Sequence, residues 1–507
     1  MLLILFLFSA GLSAYLMCTQ PHQGHEHVPG ITGKFLKAGV EAVESNGLLY
    51  SYFMLFTIPD TSPDWLLRLP AAICSLLTLF FVYAAGRDIG GRALGLCCAF
   101  MLAVNTSFIA LAVHHRFYST GEMFCALATW ALIRACQSHS RRWWALYGLA
   151  MCAAISSMVL SAVLLIVHAP ICLMYSSKRA SACRRLLAVC LAVGAIFIWL
   201  NQRDPEALER VDYGNADTNL SFYTEFWLHN GSDLEHFQPE QAHELYNDAH
   251  FPIQRRGFAC VIAVALLSAF LWRRERCGKF FLALILGFFL ASAAFYLFSR
   301  FAHNISRSSN LAFMYPSFAM ILGYAMWRCK IIRLAALGLV LYNPYAFWGT
   351  YAFANLNNDL ERFVTEHMRP GDVIISENSI AISNYPNYPL RPLQHNSSTS
   401  WLGNMRNLTD VLAGYTPLPL PNYHVYTNEQ LGALLPTLWR TRTIPEQRIW
   451  ILLQNYRHPG PNFIDYPLDA FKGYFIALND GRLQVLENRR LDEESDNYIF
   501  LVKFNRR

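Results

Sequence analysis

Residues 19–34 read TQPHQGHEHVPGITGK and place His22, His25, Glu26 and His27 within six positions, directly after the apolar run LLILFLFSAGLSAYLM. Three readings of such a cluster are open. Imidazoles suit zinc or another imidazole-binding divalent metal, with His22, His25 and His27 as donors, although His-x-x-His-Glu-His is not an established metal spacing. A carboxylate beside an imidazole is also an acid/base pair, since unperturbed imidazole titrates near pH ~6.5. The third reading is a solvated loop. Two more groups of ionisable residues stand at the ends of apolar runs: His114-His115-Arg116-Phe117-Tyr118, and Arg300, His303 and Arg307. Charges at membrane depth are costly, so they face a polar interior or snorkel to the interface. An arginine fork matches phosphate oxygens, whether on a substrate or on an anionic lipid head group.

These groups must be positioned by membrane helices. The chain has 507 residues, of which 54% are hydrophobic and 15% charged, against a usual charged share of about 25%. A span needs roughly 20 apolar residues. Eleven such runs are predicted to be spans: 1–17, 66–86, 93–113, 117–135, 143–157, 158–175, 185–200, 257–272, 280–298, 310–327 and 331–349. The pair at 143–175 forms one long apolar run with a break at ISSM.

The positive-inside rule decides for two spans there. With the N-terminus inside, the inner loops hold sixteen basic residues, among them Arg87, Arg134, Arg185, Arg273 and Arg328. The short outer loops hold three, Arg116, Arg300 and Arg307. Merging 143–175 into one span would scatter the later clusters. The first run reads as an uncleaved anchor rather than a signal peptide, because it lacks a basic start and Met17 is a poor residue before a cleavage point.

The expected fold is therefore mainly α: a polytopic membrane protein of about eleven helices, with a C-terminal α/β domain. Residues 1–349 form the membrane domain, with outer loops 18–65 and 201–256, and residues 350–507 a soluble extracytoplasmic domain. In the first loop GLLYSYFMLFTIP is too short to span and reads as an interfacial or re-entrant helix; the second loop is acidic. In the C-terminal domain DLERFVTEHMRPGDVIIS predicts helix, turn and strand, and RIWILLQNY and NYIFLVKF predict strands. All thirteen cysteines lie between Cys18 and Cys329, so the soluble domain has no disulfide framework. That leans to a bacterial periplasm and inner membrane, with the N-terminus cytoplasmic.

A net charge of +6 comes without a basic run interleaved with aromatics, so nucleic acid is not expected as a partner. No GxxxxGK[ST] loop occurs, which argues against ATP as the energy source.

Residues 66–135 resemble the superfamily of protein O-mannosyltransferases and aminoarabinose transferases, membrane glycosyltransferases of the C-type fold. The resemblance rests on the order and spacing of Arg68-Leu69-Pro70, Gly86-Arg87, Gly90-Gly91-Arg92 and His114-His115-Arg116-Phe117-Tyr118. The last of these stands where the family has Glu-x-Arg-x-Tyr. NGLLYSYFML matches the layout of the family's first outer loop, and RSSNLAFMYPSFAMILGYAM resembles a later span, giving Arg307 and Pro316.

The resemblance implies transfer of a sugar from a polyprenyl-phosphate carrier to a lipid, glycan or protein acceptor, by inverting single displacement at the outer face. It implies Glu26 as the base, matching the second residue of the family's acidic pair, with His25 in place of the first. His114 likewise replaces the family's glutamate, while Arg116 and Tyr118 match. Arg116, Tyr118, His114, Arg307, Arg300 and His303 are then the expected substrate-binding residues. A divalent metal at His22, His25 and His27 stays open as a cofactor, and membrane lipids are expected partners. Two rival readings remain: a non-catalytic relative in envelope glycan assembly, motivated by the two histidines, and a transporter. The spans show few mid-membrane charges and no evident pair of broken helices, which argues against the transporter.

Overall fold

The computed structural model describes residues 2–19, 49, 64–113, 117–203, 251–301, 308–329, 333, 373–376, 449–453, 483–490 and 498–504. They fall into two units, a helical one within residues 1–354 and a sheet within 355–507.

The described helices of the first unit are α1 (Leu2–Thr19), α2 (Asp64–Gly90), α3 (Arg92–Ala103), α4 (Thr106–Ala112), α5 (Tyr118–Ser138), α6 (Arg141–Ser157), α7 (Leu164–Met174), α8 (Arg179–Arg203), α9 (Phe251–Leu271), α10 (Arg276–Phe301) and α11 (Tyr315–Arg328). Two 3₁₀ segments, Val159–Val163 and Ser308–Met314, lead into α7 and α11. The ten apolar runs from 1–17 to 310–327 are all helical. The run 331–349, the short helix predicted in the first loop and the acidic loop 201–256 lie outside the described residues, apart from Leu49, Arg333 and the two ends of the acidic loop, 201–203 and 251–256, which are helical.

Among the described residues, three helical stretches, Arg68–Gly90, Arg179–Leu200 and Arg276–Phe301, are long and apolar enough to cross a membrane. Their neighbours are shorter for identifiable reasons. The run 93–113 is not one helix but two. It breaks at Asn105, whose side-chain oxygen accepts from the Phe108 N–H at 2.8 Å and caps α4. The break read at ISSM is real: Met158 is extended, and the Val159–Val163 turn follows.

Close backbone crossings hold α2, α3 and α11 together. A Cβ at Gly95 would lie 2.6 Å from the Tyr83 carbonyl oxygen, and one at Gly323 would lie 2.6 Å from the Cys98 backbone. Gly91, between α2 and α3, has φ +87°, a conformation that glycine adopts without a Cβ penalty. The core between the helices is apolar and tightly covered, with Phe280, Phe281, Phe313, Phe318 and Tyr324 all buried. Outward-facing residues are apolar as well: Leu187, Leu191 and Ile198 on α8, Leu267 and Phe270 on α9, and Phe289 and Leu290 on α10. Long helices that are apolar on both faces fit a hydrocarbon surround rather than water.

In the second unit, β1 (Val373–Ser376), β2 (Ile449–Leu453), β3 (Leu483–Arg490) and β4 (Tyr498–Phe504) form one sheet in the order β1-β2-β4-β3. β1 and β2 are parallel, with Val373 opposite Ile449; β4 runs antiparallel to both β2 and β3. Three of these strands lie where the sequence predicts them. β3, LQVLENRR, has charged residues through its second half and a register shift between Val485 and Glu487, which hide its alternation.

Candidate functional site at one end of the helical unit

α5 begins at Tyr118, the last residue of the expected His-His-Arg-Phe-Tyr motif. Tyr118 is buried, its ring tilted against Phe117 with centroids 4.6 Å apart. The Ser119 hydroxyl donates to the Leu111 carbonyl at 2.7 Å and ties the start of α5 to the end of α4. Leu16, Met17, Ala72, Ile109 and Val113 pack as one apolar cluster, so the end of α1, the first turns of α2 and the end of α4 meet there. The 3₁₀ segment Ser308–Met314, which directly follows Arg307, packs against α5 and against Val159–Val163. The ends of α1 and α4, the first turns of α2, the start of α5 and the two 3₁₀ segments thus gather in one region of the unit.

A charge is buried at this end. Arg68 is 1% exposed and donates from Nη1 to the Met17 carbonyl at 3.4 Å, at the C-terminal end of α1. A cation there meets the negative end of the helix dipole. In the sequence Arg68 is a letter of the Arg68-Leu69-Pro70 motif, with no place among the expected site residues.

A second residue was missed altogether. Glu122 lies one turn into α5 and is fully buried, and neither carboxyl oxygen has a hydrogen-bond partner among the described residues. Helical side chains lean toward the helix N-terminus, so this carboxyl stands over the turn that begins at Tyr118. Cys74 of α2 and Cys125 of α5 lie within its electrostatic reach, and Thr120 Oγ1 approaches Cys74 Sγ at 3.6 Å. The signal was present in the sequence: a lone acid within the apolar run 117–135.

The other predicted residues are placed unevenly. Arg300 is exposed, one residue before the end of α10. His22, His25, Glu26, His27, His114, Arg116, His303 and Arg307 lie outside the described residues. Among the described residues, no group of three His, Cys, Asp or Glu side chains is arranged to hold a metal ion.

Residues 48–201 match the family described as dolichyl-phosphate-mannose-protein mannosyltransferase. That stretch contains Arg68, Tyr118 and Glu122. ArnT from Cupriavidus metallidurans in its apo state superposes with a TM-score of 0.50 at 13% identity, covering 98% of this chain and 97% of ArnT. The chain has the fold of the C-type membrane glycosyltransferases. ArnT bound to undecaprenyl phosphate gives a TM-score of 0.49 at 13% identity over the same extents. The oligosaccharyltransferase AglB from Archaeoglobus fulgidus, in complex with an inhibitory peptide and a dolichol-phosphate, gives 0.45 at 12% identity, over 89% of this chain and 69% of AglB. No curated protein matches the sequence significantly.

Proposed function

We propose that this protein is an integral membrane glycosyltransferase that takes a sugar from a polyprenyl-phosphate carrier and passes it to a lipid, glycan or protein acceptor. The observation that carries the reading is the match of residues 48–201 to a family of lipid-phosphate-sugar-dependent transferases. The transfer needs a base for the acceptor hydroxyl and cations for the departing phosphate. Glu26 is the proposed base, with His25 beside it. Arg116 and Arg307 are the proposed phosphate ligands, and Tyr118, His114, Arg300 and His303 complete the substrate surface. The attacking oxygen bonds to the anomeric carbon as the bond to the phosphate oxygen breaks, and Glu26 accepts the proton. The energy is that of the sugar-phosphate bond.

The site faces outward in this reading: a bacterial inner-membrane protein with its N-terminus in the cytoplasm and residues 350–507 in the periplasm. The inner bias of basic residues supports it. Alkaline phosphatase fused after Thr350 is expected to be active and a cytoplasmic reporter silent; the reverse overturns the topology.

The purified protein, offered a panel of radiolabelled polyprenyl-phosphate sugars, is expected to release free polyprenyl phosphate and label an acceptor. A second reading, a non-catalytic partner in envelope glycan assembly, is favoured by His25 and His114 standing where the family has acids. Donor binding without turnover across the whole panel would select it. Loss of activity with a chelator and with His22→Ala, the former restored by zinc or manganese, would make the histidine loop a metal site.

A further inference from the structure

The end of the helical unit opposite the candidate site carries basic residues that the proposed transfer does not use. α5 runs from the Tyr118 turn to Ser138, about 30 Å away at a rise of about 1.5 Å per residue. There α6 begins at Arg141, and α8 begins at Arg179 after the chain returns through α7. The two connections are tied together. His139 Nε2 lies 2.8 Å from Ser177 Oγ, and Arg185 donates from Nη1 to the His139 carbonyl at 3.0 Å, with its guanidinium over the Trp144 ring. Arg185 is engaged in this way. Arg141, Arg142, Lys178, Arg179 and Arg184 are exposed, and none of them forms an ion pair among the described residues. The sequence has no Asp or Glu between Glu122 and Asp204 that could neutralise them.

We propose that α6 and α8 form a binding groove for an anionic phospholipid, with its phosphate between Arg142 and Arg184 and an acyl chain along the seam of the two helices. α6 and α8 both start at this end and pack side by side; a Cβ on Gly148 would meet Val189 Cγ2 at 3.5 Å, which marks the seam. Successive residues turn by about 100° around a helix axis. Counted from Gly148, the exposed residues Arg142, Ala145 and Leu149 lie to one side of the seam. Counted from Val189 in the opposite sense, the exposed residues Arg184, Ala188 and Ala192 lie to that same side. Each helix therefore has an arginine near its start at the head of an exposed apolar stripe, and alanines floor the space between.

Charge and shape name the occupant. An arginine fork matches phosphate oxygens, and the positive ends of both helix dipoles point the same way. A soluble anion would leave the apolar stripe bare, whereas a phospholipid covers stripe and charges together. The inner bias of basic residues accounts for how many lie at this end, not for their placement over an apolar seam. In the proposed topology the lipid belongs to the cytoplasmic leaflet. The inference does not depend on the transfer reaction.

The test titrates the full chain in detergent with phosphatidylglycerol or phosphatidylcholine and counts bound lipid by native mass spectrometry. Wild type is expected to prefer phosphatidylglycerol. The double variant Arg142→Gln/Arg184→Gln is expected to bind it about tenfold or more weakly, the value of two basic residues at an anionic head group, with phosphatidylcholine unchanged. Ala188→Trp, which fills the seam and keeps every charge, is expected to weaken phosphatidylglycerol as well. Arg273→Gln/Arg274→Gln removes two charges beside the start of α10, which reaches the same end through Arg276 over the Tyr175 ring, and is expected to change nothing. If the first double variant fails to fold, Arg184→Gln alone replaces it, with an expected loss of about fivefold. A wild type without preference overturns the proposal, as does undiminished phosphatidylglycerol binding in either groove variant. Equal losses from the two double variants reduce the groove to a diffuse basic field and overturn it too. A wild-type dimer that Ala188→Trp dissolves, with lipid binding unchanged, gives the seam to a second copy of the chain and overturns the lipid.

Discussion

The two halves of α5 treat buried polarity in opposite ways. In the second half Thr129, Trp130, Arg134 and Gln137 each have a polar partner. His168 is fully buried, with Nε2 3.1 Å from Thr129 Oγ1 and Nδ1 3.1 Å from the Tyr147 hydroxyl. The Thr129 hydroxyl donates to the Cys125 carbonyl, so it accepts from Nε2–H, which leaves Nδ1 to accept from Tyr147. Further along, Arg134 meets Asp88 at 2.6 Å, and Asp88 also accepts from the Trp130 indole at 2.8 Å. At the other end of the same helix Glu122 has no partner among the described residues. The satisfied half locks helices together. The first half holds one carboxyl without such a partner among the described residues, a pattern expected of functional sites, which trade stability for activity.

That contrast can be broken by substitution. Changes at the proposed transfer residues should affect turnover and spare stability. The largest expected effect is Glu26→Gln, which keeps shape but removes basicity: turnover falls by about 10²-fold or more with donor binding nearly unchanged. Turnover equal to wild type would place the base elsewhere. His25→Asp, which restores the family's acidic pair, is expected to be tolerated. Arg307→Ala comes next, losing roughly 10- to 10²-fold in turnover, with Lys rescuing only part because the fork is gone. Full activity of the Ala variant at normal membrane level removes Arg307 from the site.

In the satisfied half the sign reverses. His168→Leu strands the Thr129 and Tyr147 hydroxyls and should cost about 2–4 kcal/mol, read as a lower Tm, with kcat of the remaining folded protein unchanged. Tyr147→Phe removes a single bond and should cost about 1 kcal/mol. If His168→Leu instead left Tm alone and abolished turnover, the division of α5 into a structural and a functional half would fail.

The helical framework was legible because membrane spans are written in composition: a run of apolar residues bounded by arginines needs no tertiary knowledge. Helix breaks were harder. Asn105 interrupts 93–113 through a side-chain cap, and nothing in the hydropathy of the run marks it. The strand Leu483–Arg490 escaped because its charged second half masks its alternation. In the site, Arg68 and Tyr118 were readable as motif letters, but the burial of Arg68 beside Met17 is a tertiary fact: helices 51 residues apart in the chain must meet to create it. Glu122 was visible as an acid in an apolar run. Its meaning came only with the structure, which alone shows that nothing among the described residues pairs with it.

The reading of the chain as a sugar transferase is tested most directly by single-turnover transfer. Purified protein in nanodiscs is mixed with polyprenyl-phosphate sugars, each radiolabelled in the sugar, and a membrane extract as acceptor source, and the lipid phase is followed over time. For at least one sugar the label is expected to leave the carrier and enter the acceptor fraction, at a rate reduced about 10²-fold or more by Glu26→Gln. A label that stays on the carrier for every sugar, with the carrier nevertheless bound, would contradict it.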